Sequence, residues 1–71
     1  MRSSEFWELI DDVFGARGRL IARDHVLTVL GGATASEALA RGEDVRRVWL
    51  ALCDDFEIPE QRRWLGDARK R

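Results

Sequence analysis

The chain has 71 residues and a net charge of -1, with 45% hydrophobic residues, 35% charged residues and one proline. A chain of this length is sufficient for one small domain. Its composition is typical of a folded globular protein and excludes a largely disordered chain. The balanced charge excludes a general attraction to nucleic acid, so binding of that kind would need a local basic patch.

The first predicted helix runs from Glu5 to Phe14, with Ser4 as its N-cap and Gly15 at its end. Its apolar residues recur at helical spacing, so they share one face and belong to the core. These residues are Phe6, Trp7, Leu9, Ile10, Val13 and Phe14.

The second predicted helix begins at Arg17 or Arg19 and ends at Leu30, where Gly31 and Gly32 stop it. Its apolar residues nearly surround it, which is typical of a central helix with neighbours on several sides. One half carries Leu20, Ala22, Val26, Leu27, Val29 and Leu30, and Ile21 lies on the opposite side.

The third predicted helix starts with a capping box, because Thr34 is followed three residues later by Glu37. It extends to about Arg41, and Gly42 closes it. In the fourth helix, Asp44 is the expected N-cap. The apolar stripe of that helix consists of Val45, Val48, Trp49, Leu52, Cys53 and Phe56.

Pro59 suits the first position of a final short helix that extends through Trp64 and Leu65. The sequence as a whole predicts an all-α fold, a compact bundle of four to five short helices. We expect a single helical domain over residues 1–66 and a mobile basic tail over residues 67–71.

Cys53 is the only cysteine, which excludes an internal disulfide and a zinc site of several thiolates and favours a reducing compartment. The segment from Met1 to Phe14 has four acidic residues and no long apolar run. It resembles neither a signal peptide nor a membrane span, so we expect a cytoplasmic protein without membrane contact.

Catalytic side chains are scarce, since the chain has one histidine, one cysteine and no tyrosine. Cys53 falls on the buried stripe, where a thiol behaves as a small hydrophobic group. His25 lies on a polar edge beside Asp24 and Thr28, and we interpret it as a hydrogen-bonded residue that bridges or caps helices. A metal site would require Asp24, His25 and Cys53 to converge, and no ligand spacing supports one. We expect no enzymatic activity, no cofactor and no metal.

The fourth helix has arginines at its start and aspartates at its end, and both pairs oppose the helix dipole. One interpretation is local pairing, of Arg46 or Arg47 with Glu43 and of Asp54 or Asp55 with Arg62 or Arg63. The other interpretation is a surface that binds a partner protein. The candidate interaction surface consists of Arg46, Arg47, Leu50 and Asp54, with Leu50 pointing outward.

The polar side of the first helix carries four acidic residues and no basic one. These acids pair with Arg17, Arg19 or Arg23, or else they bind a basic partner. Together with the two polar residues near the second helix they are secondary candidates for an interaction site. The secondary candidates are Glu5, Glu8, Asp11, Asp12, Asp24 and His25.

The stretch from Thr34 to Cys53 is similar to a helix-turn-helix motif, with a short helix, a glycine turn and a longer helix. Arg46 and Arg47 would then contact DNA. The acidic end of the fourth helix opposes this alternative, because carboxylates repel phosphates. We expect an unidentified protein partner, with nucleic acid as the alternative, and a monomer or weak homodimer.

Residues spread along the whole chain resemble an actinobacterial family, domain of unknown function 3046. The resemblance covers about Met1 to Trp64. It rests on Glu5-Phe6-Trp7, Phe14-Gly15, Asp24-His25-Val26-Leu27, Leu30-Gly31-Gly32, Thr34, Glu37-Ala38-Leu39, Gly42, Trp49, Leu52-Cys53 and Pro59. One departure is Val45, which follows Asp44 where relatives often have proline.

The resemblance implies short cytoplasmic proteins that are often encoded near a DNA-recombination protein and its regulator. The family has no assigned activity, so the resemblance implies no catalytic or binding residue. On this basis we predict a non-enzymatic protein-interaction module, with an accessory role in DNA repair or recombination implied by the resemblance alone. The alternative function is a helix-turn-helix-like DNA-binding protein.

Overall fold

A computed structural model describes residues 1–64 of the chain as a mostly helical fold with one small antiparallel sheet. Its α-helices are α1 (Ser3–Phe14), α2 (Gly18–Asp24), α3 (Ala35–Ala40) and α4 (Val45–Asp55). The strands β1 (Val26–Leu27) and β2 (Ala33–Thr34) form the sheet. Short 3-10 helices span Gly15–Arg17, Thr28–Leu30 and Glu60–Arg62. The all-α prediction is therefore wrong in detail, and only α1 and α4 are longer than seven residues.

Helix α1 starts two residues before its predicted start, and Ser4 lies inside it rather than at its N-cap. Arg2 occupies the cap position, and its backbone N–H donates to Glu5 Oε1 at 3.0 Å. Because the Glu5 carboxylate satisfies a backbone donor that the first turn leaves unpaired, the helix begins earlier than the serine pattern indicates.

Helix α2 lies close against α1 because Gly18, the first residue of α2, has no side chain. A Cβ atom at this position would lie 2.5 Å from Ile10 Cγ2 and 2.7 Å from the Ile10 backbone oxygen. Both distances are shorter than any ordinary van der Waals contact, so any larger residue would push the two helices apart.

The segment from Val26 to Thr34 is the main correction to the predicted fold. The second helix ends at Asp24 rather than Leu30, and β1 and β2 form a hairpin that pairs Val26 with Thr34 and Leu27 with Ala33. Gly31 and Gly32 lie in its turn with φ angles of 73° and 82°, which side chains disfavour. Because β-branched residues precede these glycines, a turn is favoured over continued helix.

This hairpin also changes which side of α2 is buried. Leu20, predicted in the core, is 51% exposed, whereas Ile21, predicted on the opposite side, is partly buried against the core. Val26 and Val29, also predicted in the core, are 51% and 63% exposed. These differences have one cause. The prediction continued the helical repeat through residues that form the hairpin, so it assigned the wrong residues to the buried side of the second helix.

The predicted start signals of α3 and α4 are confirmed. Glu37 N–H donates to Thr34 Oγ1 at 3.2 Å, and Thr34 N–H donates to Glu37 Oε1 at 2.9 Å. Asp44 Oδ2 accepts a hydrogen bond of 3.0 Å from Arg47 N–H at the start of α4. Each cap satisfies backbone donors in the first turn of its own helix. Short local sequence patterns were therefore sufficient to predict where α3 and α4 begin.

The final predicted helix is only the 3-10 helix Glu60–Arg62, which Pro59 precedes. Leu65, the rest of the predicted domain to residue 66 and the predicted mobile tail 67–71 lie outside the described residues. Proline supplies the backbone angle that starts a helical turn, but too few apolar residues follow it to support a longer helix.

A single hydrophobic core lies between α1, α4 and the segments that connect them. Its buried members are Phe6, Leu9, Ile10, Ala22, Leu27, Leu30, Ala33, Ala35, Ala38, Val48, Trp49, Ala51, Leu52 and Cys53. Trp49 is completely buried and makes T-shaped contacts with Phe6 and Phe14 at centroid distances of 5.9 Å. Its predicted place on the buried stripe of the fourth helix is confirmed.

Candidate interaction site

The predicted interaction surface forms one shallow depression on the outer face of α4, which we call the α4 groove. Its volume is about 410 Å³. The residues that line it are Val29, Asp44, Arg46, Arg47, Leu50, Ala51 and Asp54. Arg46, Leu50 and Asp54 come together because residues four apart lie one above another along a helix.

Leu50 differs from its predicted outward position. It is partly buried and packs against the core, so its side chain forms part of the floor of the α4 groove. Ala51 is buried beside it, and Val29 adds an exposed apolar side chain from the neighbouring 3-10 helix. These three residues are the apolar part of the lining, and the other four lining residues are charged.

Three residues that line the α4 groove, Val29, Asp44 and Ala51, are absent from the predicted surface. The predicted long second helix placed Val29 on its apolar half, whereas in the structure it lies in the 3-10 helix Thr28–Leu30 and lines the groove beside α4. The sequence contained a signal for the hairpin. Three β-branched residues, Val26, Thr28 and Val29, lie shortly before the glycine pair at positions 31 and 32. This pattern is typical of a strand followed by a turn.

The two arginines of the α4 groove have no carboxylate partner within residues 1–64. The predicted pairing with Glu43 is wrong, because Glu43 pairs with Arg41 at 3.3 Å. Arg46 instead lies over the ring of Trp64, with its guanidinium carbon 5.1 Å from the ring centre. This cation–π contact restrains the guanidinium, and no carboxylate within residues 1–64 pairs with it.

Both aspartates of the α4 groove are already engaged inside the domain. Asp54 Oδ1 lies 2.8 Å from an Arg63 guanidinium nitrogen, which confirms the predicted pairing at the end of α4. Asp44 caps the start of α4 through the backbone of Arg47. The lining contains two aspartates and two arginines, so its formal charges cancel. Because both aspartates already have partners, the charges most available to a ligand are those of the arginines.

His25 bridges distant elements, as predicted. Its Nε2 lies 2.9 Å from Asp55 Oδ2, and its ring centroid is 4.6 Å from that of Phe56. Phe56 in turn meets Phe14 edge-on at 5.4 Å. This cluster connects the end of α2 to the ends of α4 and α1, so His25 has a structural role.

Asp24, the neighbouring candidate, does not join His25. Its carboxylate pairs with the adjacent Arg23 at 3.1 Å. The described part of the chain contains no group of three histidine, cysteine or acidic side chains that could hold a metal ion.

Cys53 is completely buried in α4, which confirms its predicted position. Burial raises the pKa of its thiol to about 12, and Arg63 opposes this shift only in part. The thiol therefore stays protonated at neutral pH, and a protonated thiol is a poor nucleophile.

All four acids of α1 have interaction partners, and one of them makes the predicted pairing with an arginine. Asp11 pairs with Arg19 at 3.2 Å, and Arg19 also lies over the ring of Trp7 at 5.3 Å. Glu5 accepts the hydrogen bond from the backbone of Arg2, and Glu8 and Asp12 have interaction partners too. This face therefore gives less support to a docking site than the α4 groove does.

Within residues 1–64, none of the helices has both the length and the apolar character needed to cross a membrane.

The comparisons with known proteins confirm the family. The profile of a family described as a protein of unknown function (DUF3046) matches residues 1–61, so the chain belongs to that family. A 36-residue segment is 50% identical to the "Putative envelope-preserving system protein" of Mycobacterium tuberculosis (strain ATCC 25618 / H37Rv). The segment covers 51% of this chain and 13% of that relative, which is itself an actinobacterial protein. No solved structure matches the chain.

Proposed function

We propose that this protein is a non-enzymatic protein-interaction module that binds its partner through the α4 groove. The observation that carries the proposal is that Leu50, Ala51 and Val29 line one depression together with two arginines that have no carboxylate partner within residues 1–64. An apolar centre with a polar rim is the usual composition of a protein-binding surface.

The absence of an enzymatic role is part of the proposal, and two residues support it. His25 is engaged with Asp55 and Phe56, and Cys53 is buried as a neutral thiol. An acid-base or nucleophilic mechanism needs such groups close to each other and accessible to a substrate.

DNA binding is the alternative function, and one observation favours it. Helix α3, the turn at Gly42 and helix α4 follow each other as in a helix-turn-helix motif, and Arg46 and Arg47 lie in the first half of α4. Asp44 and Asp54 line the same groove, however, and their carboxylates would repel a phosphate backbone. The mixed charge supports a protein partner over a duplex.

The family resemblance links such a module to DNA repair or recombination, whereas the relative's description names an envelope-preserving system. An interaction module without chemistry of its own fits an accessory role in either process. The identity of the partner that binds the α4 groove would show which of these two processes the protein serves.

Site-specific photo-crosslinking in native lysate tests the proposal. A photoreactive amino acid at position 29 should crosslink a partner protein, and the same group at position 20 should not. Leu20 is a matched control, because it is also an exposed apolar residue but lies on α2 outside the α4 groove. Equal crosslinking from both positions would contradict the proposed surface.

A nuclease treatment and a salt titration separate the two functions. Protein capture should survive nuclease. If the groove binds DNA instead, replacing Arg46 and Arg47 with alanine should lower the slope of log affinity against log salt by about 1.8.

A further inference from the structure

We propose that the ligand of the α4 groove is an acidic peptide segment of a partner protein, anchored by one apolar side chain. This inference rests on the proposed docking function and adds the chemistry of the partner. The apolar side chain would lie on Leu50, Ala51 and Val29, and carboxylates of the same segment would bind Arg46 and Arg47.

The size of the apolar lining sets the size of the anchor. Val29 is 63% exposed, Leu50 is partly buried and Ala51 is buried, so the apolar area is small and shallow. Only three apolar residues line the depression, which is enough to contact one leucine or phenylalanine side chain but not a whole apolar helix face. The ligand is therefore a short segment with one main anchor.

The charge of the ligand follows from which ions are already paired. Asp54 already pairs with Arg63 at 2.8 Å, and Asp44 already accepts the capping hydrogen bond of α4. A basic peptide would therefore meet carboxylates that already have partners. An acidic peptide instead meets Arg46 and Arg47, neither of which has a carboxylate partner in residues 1–64.

Arg46 is also pre-positioned for a carboxylate. Its guanidinium carbon lies over the ring of Trp64, 5.1 Å from the ring centre. A guanidinium has five N–H donors in a fork that matches a carboxylate, and none of them pairs with a carboxylate within residues 1–64. Because the cation–π contact already restricts the side chain, less conformational entropy is lost when the ligand binds.

A short acidic segment fits the mixed groove better than a nucleic acid does. A peptide can place carboxylates next to the two arginines and uncharged residues next to Asp44 and Asp54. A duplex presents regularly spaced phosphates that cannot avoid these aspartates. The positions of the four charges therefore favour the peptide.

Selection from a displayed random-peptide library on the whole protein tests this inference. Clones that also bind Leu50→Asp are removed, and Val29→Asp serves as a second filter because an exposed residue tolerates the change without unfolding. The remaining peptides should share an apolar residue flanked by aspartate or glutamate. The affinity of a synthetic winner should fall about three- to tenfold in the variant with both Arg46→Gln and Arg47→Gln, since exposed ion pairs are individually weak.

Each result has a distinct meaning. Peptides that need Leu50 but carry no acidic excess, or carry a basic one, would overturn the inference and leave the docking function standing. A library without any Leu50-dependent peptide would overturn both. Tight binding of a duplex oligonucleotide that depends on the two arginines would also overturn both. Dimerisation of the wild type that Leu50→Asp abolishes would assign the groove to a second copy and overturn the acidic ligand.

Discussion

The two faces of α4 have opposite properties although they belong to the same eleven residues. The inner face, with Val48, Trp49, Leu52 and Cys53, is completely buried. The outer face carries the α4 groove, with charged side chains around Leu50. Stability should therefore respond to changes on the inner face and binding to changes on the outer face.

Trp49→Ala should destabilise the fold most. It removes the completely buried side chain that meets Phe6 and Phe14, and truncations of this size cost about 3 to 5 kcal/mol. A core of this size supplies about as much stability in total, so the variant should be largely unfolded at room temperature. Circular dichroism during thermal unfolding measures the effect, with Leu20→Ala as an exposed control. A cooperative transition within a few degrees of wild type would contradict the role of Trp49.

Alkaline pH should weaken the inner face through Cys53. The folded state raises the pKa of this thiol from 9.0 to about 12, so the unfolded chain loses the thiol proton first. Stability is complete below the unfolded pKa and should fall by about 1.4 kcal/mol per pH unit between the two values. Few other groups titrate in this range, because the chain has no tyrosine and Lys70 is its only lysine.

Cys53→Ala is the control for this pH effect. It should cost about 1 to 2 kcal/mol at neutral pH through lost packing and should flatten the alkaline decline. Urea denaturation at several pH values measures both. An unchanged decline in the alanine variant would assign the pH effect to another group, and rapid reaction of the native thiol with a thiol reagent would contradict its burial.

The His25–Asp55 contact should contribute less, because it lies at the edge of the domain. Both side chains are about one third exposed, so a double-mutant cycle with His25→Ala and Asp55→Ala should give a coupling of about 0.5 to 1 kcal/mol. Asp24→Ala is a suitable control, since Asp24 pairs only with the adjacent Arg23 within the described residues. A coupling near zero would show that the packing of His25 on Phe56 holds this end of α4 alone.

Val29→Asp should change stability least and binding most. Because Val29 is exposed, the free energy of unfolding of the variant should stay within about 0.5 kcal/mol of wild type. Capture of the partner protein should be lost, because a charge replaces an apolar contact. Leu20→Asp should preserve both properties. Full capture of the partner protein by Val29→Asp would contradict the assignment of binding to the outer face of α4.

The inner face of α4 and the caps of α3 and α4 could be predicted from the sequence alone. Thr34 with Glu37, and Asp44 with Arg47, act within four residues, so neighbouring positions contain all the information. Most of the buried stripe follows from helical spacing in the same way, but Phe56, the last residue of the predicted stripe, follows the end of α4 and is 37% exposed. The family was recognised for a similar reason, because its features are short runs of neighbouring residues.

The hairpin and the α4 groove depended on tertiary structure. The segment from Val26 to Leu30 could continue a helix or turn back, and packing against α4 decides between these states because local propensities differ by less than the energy of burial. That choice partly buries Ile21, exposes Leu20 and brings Val29 into the same groove as Leu50. The contact of Arg46 with Trp64 likewise joins positions far apart in the chain. Local sequence therefore determined which residues form α4 and which of its faces is buried, whereas long-range packing determined what lies against its outer face.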